Sequence, residues 1–226
     1  MVERGFFVSD TELDRLGRDY LDALLDGDRP RAARLVLDAV EAGMPVHDVY
    51  MGVFQPAQYE VGRLWQKNRI SVAQEHYCTA ATQFVMSQLY PYIFGGERTG
   101  RTLVACCVGG ELHELGMRMV SDFFEMDGWD TYYLGANMPA PDVAGAVAER
   151  GADLLGVSVT MTFNVHLVRL VVDAVRAEPG AKDARILVGG YPFLLDADLW
   201  RDVGADGFAA DAVEAVVLGK RLVGEG

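Results

Sequence analysis

The residues best suited to chemistry fall in one short run, Gly109-Gly110-Glu111-Leu112-His113-Glu114-Leu115-Gly116. Glu111 stands two residues before His113. A carboxylate so placed can hold one imidazole nitrogen and leave the other, neutral and basic, for a metal. Two other readings of the run fail. A dinucleotide fingerprint needs G-x-G-x-x-G, and its second and third glycines are missing. A zincin helix needs a second histidine four residues on, where Met117 stands. A lone loop histidine is ordinarily unliganded, so the run gains weight only from its surroundings. Two other segments supply them: Ser158 and Thr160 offer hydroxyls, and Gly189-Gly190 offers backbone that a ligand can approach closely.

Those segments must be brought together by a sheet. Short β-rich runs at Thr102–Val108, Thr131–Leu134, Leu154–Val159, Arg185–Val188 and Gly207-Phe208 alternate with helical ones. The spacing leaves room for one helix between each pair, which predicts βαβ units around a five-stranded parallel sheet of flavodoxin-like or Rossmann-like type. In such sheets ligands bind outside the carboxyl ends of the strands, so the loops after the first, third and fourth strands are where chemistry is expected. From Ser9 to Ile93 the period is helical instead, as in Leu13, Leu16, Tyr20, Leu24. Pro30 and Pro45 suit the first turns of a second and a third helix, and Lys67-Asn68-Arg69 the turn before a fourth beginning near Ser71. Pro56 is expected to kink or interrupt the third. The expected organisation is a four-helix bundle over residues 1–94, the linker Gly95-Gly96-Glu97-Arg98-Thr99-Gly100, and an α/β domain over 101–226.

The chain has 226 residues, 50% of them hydrophobic and 23% charged, enough to bury a core in each half. Acids outnumber bases by 33 to 20. A surface that negative repels phosphate backbones and anionic membranes, which argues against direct nucleic-acid or membrane partners. Cys78, Cys106 and Cys107 make no spaced framework, and the adjacent pair should point to opposite faces of a strand. With no long apolar run, a cytoplasmic protein is expected.

In order and spacing, Glu111-x-His113-x-x-Gly116, Ser158-x-Thr160 and Gly189-Gly190 resemble the D-x-H-x-x-G, S-x-L and G-G signature of cobalamin-binding domains. The resemblance implies that His113 replaces the dimethylbenzimidazole as lower axial ligand of cobalt. It also implies that the displaced nucleotide tail threads toward Ser158, Thr160, Gly189 and Gly190, with Gly116 in the same site. Glu111 stands where that family usually has Asp, and Thr160 where it has Leu. A preceding helical bundle is also a family feature, covering the upper face of the corrin.

Trp65 followed after nine residues by Glu75-His76 is similar to the pattern of CarH-type B12-dependent photoreceptors, in which the Trp packs over an adenosyl group and the Glu and His lie beside it. Val72 falls where a small apolar contact belongs. This resemblance implies a non-enzymatic sensor holding adenosylcobalamin, or another cobalamin, base-off and His-on. Such a sensor changes conformation or oligomeric state when light cleaves the cobalt–carbon bond, and a homo-oligomer or a downstream protein carries the signal. Gln66 stands where the DNA-binding members carry a histidine. Stand-alone relatives of this type, the photocobilins, also bind a bilin such as biliverdin. Tyr90-Pro91-Tyr92-Ile93-Phe94, with Trp129, Tyr132 and Tyr133, could offer a surface for one, whereas His47 and His166 show no recognisable partner. The alternative is a corrinoid methyl carrier of a methyltransferase system. It would use the same His113 but open its upper face to partner enzymes.

Overall fold

The computed structural model describes residues 6–224 except Val8, Gly96 and Ala197, so residues 1–5 of the expected bundle, Gly96 of the linker and residues 225–226 lie outside the described residues. The chain divides into two units, Met1–Phe94 and Gly95–Gly226.

In the first unit, α1 (Glu12–Leu25) begins at Thr11, whose hydroxyl accepts from the Asp14 N–H, and buries Tyr20, Leu21 and Leu24. α2 (Arg29–Glu41) is capped by Asp28 and carries Pro30 in its first turn. Pro45 is the residue before α3 (Val46–Val49) rather than part of its first turn. A π-helical turn, Tyr50–Phe54, joins α3 without a break to α4 (Gln55–Gln66). Pro56 explains the turn: it has no N–H to give, and its ring would strike the carbonyl four residues back, so the wider π spacing accommodates it. Close packing accompanies the turn, because a Cβ on Gly52 would fall 2.2 Å from Leu13 Cδ2. Asn68 takes a left-handed φ of 52° in the turn that follows, and Ser71 opens α5 (Val72–Gln88) with a reciprocal capping box to Gln74. A short α6 (Tyr90–Ile93) ends the unit.

The second unit is a five-stranded parallel sheet in the order β2-β1-β3-β4-β5. Its elements are β1 (Thr102–Val108), α7 (Leu115–Met126), β2 (Asp130–Met138), α8 (Ala140–Arg150), β3 (Leu154–Ser158) and α9 (Val165–Ala177), then β4 (Arg185–Gly189), α10 (Tyr191–Leu195), α11 (Leu199–Asp202), β5 (Gly207–Phe208) and α12 (Ala212–Leu222). Alternation sorts the core. Val104, Cys106 and Val108 face α8 and α9 through Val147, Val171 and Val175, whereas Leu103, Ala105 and Cys107 face α7 and α12 through Phe124 and Ala215. Cys106 and Cys107 therefore do point to opposite faces. The resulting architecture is the expected one, a helical unit followed by a Rossmann-like parallel-sheet domain.

β2 runs four residues beyond its expected end at Leu134. Gly135, with a φ of 86°, reads as a turn in sequence, but here it sits at a register shift that lets the strand keep pairing, Cys106 with Gly135 and Val108 with Met138. The order reverses between β1 and β3, which puts the loops after those two strands side by side at the sheet's carboxyl edge.

The turn out of β4 is the most constrained. Gly190 has a φ of 109°, and a Cβ there would lie 1.9 Å from the Val159 carbonyl oxygen. Gly190→Ala is expected to lower the unfolding free energy by about 2–3 kcal/mol, read as a shift in urea midpoint, because both backbone strain and a clash with fixed backbone oppose it. An unchanged midpoint would contradict this account of the turn.

Candidate functional site

Glu111 follows the Gly109-Gly110 turn at the end of β1, where its N–H donates to the Val108 carbonyl at 3.1 Å. Its side chain is fully buried, an unusual place for a carboxylate. Four donors account for it. Oε1 accepts from the His113 N–H at 3.1 Å and lies 2.5 Å from His113 Nδ1, while Oε2 accepts from the Thr160 and Met161 N–H groups at 2.8 and 2.9 Å. Burial, the largest single influence, pushes the Glu111 pKa up. The bonds from Met161, the His113 ring, Thr160 and the His113 N–H together outweigh it, so the net shift is downward from 4.5. Glu111 is thus ionised at neutral pH, and the short bond has His113 Nδ1–H as donor.

That assignment fixes the tautomer. With Nδ1 protonated, Nε2 carries the lone pair, and the His113 side chain is 55% exposed. Nearby sulfur does not compete as a donor to metal. Burial first, then the Glu111 and Glu114 carboxylates, push the Cys107 thiol up to about 12 against a lowering hydrogen bond with Ser158. Large apolar side chains stand exposed on the loops at this edge: Leu112 at 74%, Phe163 at 66%, and Tyr191 immediately after Gly190. A free imidazole nitrogen beside apolar surface on a glycine-lined edge suits a broad, flat, mostly apolar cofactor whose metal lacks one axial ligand, so the residues present fit a corrinoid.

The other expected residues fall as follows. Ser158 ends β3, buried, and pairs with Cys107 of β1 across the sheet. Thr160 contributes through its backbone N–H to Glu111. Gly189 pairs with Ser158 across β3 and β4, and Gly116, in the first turn of α7, leaves open space where a Cβ would stand. Asn137 and Asn164 escaped sequence reasoning. Asn137 Oδ1 accepts from the Gly110 N–H at 2.7 Å, and Asn164 Nδ2 donates to the Gly110 carbonyl at 3.4 Å. The signal that could have found Asn137 is its type at the end of β2, since asparagine tolerates left-handed backbone.

In the helical unit, Trp65 lies in the last turn of α4, and Val72, Glu75 and His76 in the first turn of α5. Trp65 is 44% exposed. Glu75 Oε2 lies 2.5 Å from His76 Nδ1, and its Oε1 lies 3.0 Å from Thr79 Oγ1, which is itself 3.1 Å from Gln58 Oε1. The carboxylate is engaged within its own helical hairpin. Among the aromatics proposed for a bilin, Trp129 is fully buried, edge-on to Phe124 at 5.0 Å, and Tyr133 bonds Glu114, so these two offer no chromophore surface. His47 and His166 do have partners, Asp48 and the Phe163 carbonyl.

Together, the parallel sheet with its β1/β3 switch point and the carboxylate-held histidine beside it define a cofactor-binding α/β protein. Sequence comparison narrows the class: residues 101–217 match the family described as B12 binding domain, and residues 16–90 match a second family of the same description. The chain belongs to the B12-binding family. A corrinoid protein of Desulfitobacterium hafniense is 25% identical over 209 residues, covering 90% of this chain and 95% of that protein. Dimethylamine corrinoid protein 3 of Methanosarcina acetivorans is 25% identical over 217 residues, 94% of this chain and 99% of its own length. The fold matches the monomethylamine corrinoid protein of Methanosarcina barkeri with a TM-score of 0.79 at 21% identity, covering 92% of this chain and 98% of that one.

These relatives overturn the light-sensor expectation, because proteins that align with nine-tenths or more of the chain are named as corrinoid proteins, one of them a dimethylamine corrinoid protein. The W-x9-E-H run spans the turn between α4 and α5, with Glu75 and His76 bonded to each other. Among the described residues no helix is long and apolar enough to cross a membrane.

The lowered Glu111 pKa makes a pH prediction. Its stabilisation is fully present above its ordinary value of 4.5 and is lost as pH falls through the lower folded value. Glu111→Gln should cost about 2–3 kcal/mol at neutral pH. The gap between wild type and variant should narrow in urea melts taken at progressively lower pH below 4.5. A gap that stays constant to pH 2 or below contradicts the assignment.

Proposed function

We propose that the protein is the corrinoid-carrying component of a methyltransferase system, accepting a methyl group from one partner protein and yielding it to another. The observation that carries the corrinoid part of this reading is the locked His113, with Nδ1 held by a buried, ionised Glu111 and Nε2 open at the sheet edge, and the names of the relatives carry the methyl-transfer part. A bound corrinoid supplies a cobalt centre able to receive and release a methyl group. His113 Nε2 would hold the cobalt, and Glu111, by holding Nδ1–H, would raise the basicity of that nitrogen and keep the ring from turning. Gly116, Gly189 and Gly190 would leave backbone free of side chains for the nucleotide tail, with Ser158 at the end of β3 and Thr160 just beyond it. The helical unit has a corrinoid-contacting role of its own. Its separate family match over residues 16–90 and its exposed Trp65 and Val72 support that assignment.

Names of the relatives support small methylated amines as the source of the methyl group, delivered by a separate enzyme. A resemblance in fold to the methanol:cobalamin methyltransferase complex of M. barkeri, TM-score 0.51 at 20% identity over 93% of this chain and 80% of that one, accompanies the same picture of a carrier beside a catalytic partner. Methyl rather than adenosyl is the upper ligand in this reading, and this chain carries the group without itself catalysing either transfer.

Protein reconstituted with cobalamin should bind it with a nitrogen ligand from His113. His113→Ala should keep the fold while losing that ligand and weakening binding by about 10–100-fold, read by absorbance titration. Methylated holoprotein should pass its methyl group to a thiol acceptor when the cognate methyltransferase is added. Binding unaffected by His113→Ala sinks the ligand assignment, and a holoprotein that no such enzyme methylates or demethylates sinks the carrier role.

A further inference from the structure

Gly109 and Gly110 form the only covalent link from β1 to Glu111 and His113, and two glycines make a soft link. The Gly110 peptide is nonetheless gripped on both sides. Its N–H donates to Asn137 Oδ1 at 2.7 Å, and its carbonyl accepts from Asn164 Nδ2 at 3.4 Å. Asn137 makes a second contact with the same loop, its own N–H donating to the Glu111 carbonyl at 3.0 Å. To do both it adopts a φ of 56°, one of two positive-φ residues other than glycine among those described. Asn164, 6% exposed, closes the 3-10 turn Thr162–Asn164 just after the two N–H groups that hold Glu111 Oε2. Three sheet-edge segments, the loop after β1, the end of β2 and the loop after β3, therefore converge on the peptides that precede His113.

We propose that Asn137 is a positioning residue for His113: by clamping the Gly110 and Glu111 peptides it fixes where Nε2 stands above the sheet edge, and so sets the strength of the axial bond to the corrinoid metal. Asn164 is its counterpart on the β3 side. The inference rests on the corrinoid reading for its ligand, but the clamp itself does not. Asparagine is suited to the task because it pairs a side-chain acceptor with tolerance of left-handed backbone. Glycine keeps only the second property and aspartate keeps both, which separates clamping from mere accommodation of the turn.

The test uses full-length wild type, Asn137→Gly and Asn137→Asp, each loaded with cob(II)inamide, a corrinoid without a dimethylbenzimidazole of its own, with electron paramagnetic resonance reading the nitrogen splitting on cobalt. Wild type is expected to show the splitting. Asn137→Gly should retain wild-type circular dichroism and lose about tenfold in the equilibrium between ligated and free His113, the lower end of what outer-shell partners control. Asn137→Asp should restore it. Undiminished splitting in the glycine variant overturns the proposal, as does an equal loss in both variants. A second arm needs no cofactor: hydrogen exchange at the Gly110 amide should accelerate at least tenfold in Asn137→Gly and not in Asn137→Asp. If wild type shows no nitrogen splitting while this acceleration is seen, the corrinoid reading fails and the clamp stands. If exchange is unchanged, the clamp itself fails.

Discussion

The Glu111 carboxylate gathers two N–H donors from the loop after β1 and two from the loop after β3, and in doing so ties together the two segments that the strand order places at the switch point. A buried negative charge is tolerable only with such full pairing. The need runs in both directions: the loops need the carboxylate as acceptor for three backbone N–H groups, and the carboxylate needs the loops to stay ionised. Everything proposed for His113 follows, because a charged Glu111 orders the ring and selects its tautomer without any contribution from metal.

The longer arm of glutamate gains meaning in this setting. The cobalamin-domain signature usually has aspartate at this position, one methylene shorter. Here Oε1 serves its own loop while Oε2 serves the Thr160 and Met161 peptides. Thr160, expected to act through its hydroxyl, instead acts through its backbone, which leaves the side chain at that position less constrained by the Glu111 network. Cys107 is a related case. This thiol lies next to the site, and its burial and two nearby carboxylates keep it protonated.

The helical unit shows how a spacing can mislead. Trp65, Glu75 and His76 have the right types at the right interval for a light-sensor pocket, yet the relatives are corrinoid proteins, and the interval itself only spans the turn between α4 and α5. The capping box of Ser71 and Gln74 fixes where α5 begins, and Glu75 is held by His76 and Thr79. Near relatives, not the motif, then decide between a sensor and a methyl carrier. A fold that serves several chemistries cannot make that choice by itself.

Sequence by itself determined the change of period near residue 94, the number of the parallel strands, the opposed faces of Cys106 and Cys107, and the pairing of Glu111 with His113. Each depends on residues near in sequence or on a regular repeat, and such patterns are written along the chain. Tertiary structure decided what depends on residues distant in sequence. It showed that Glu111 reaches 50 residues ahead to Met161, and that Asn137 and Asn164 grip Gly110 from 27 and 54 residues away. It also showed that β2 persists past Gly135 through a register shift, and that Trp129 is core rather than surface. No local pattern encodes those contacts, because a hydrogen bond between two loops exists only after the sheet has set them side by side.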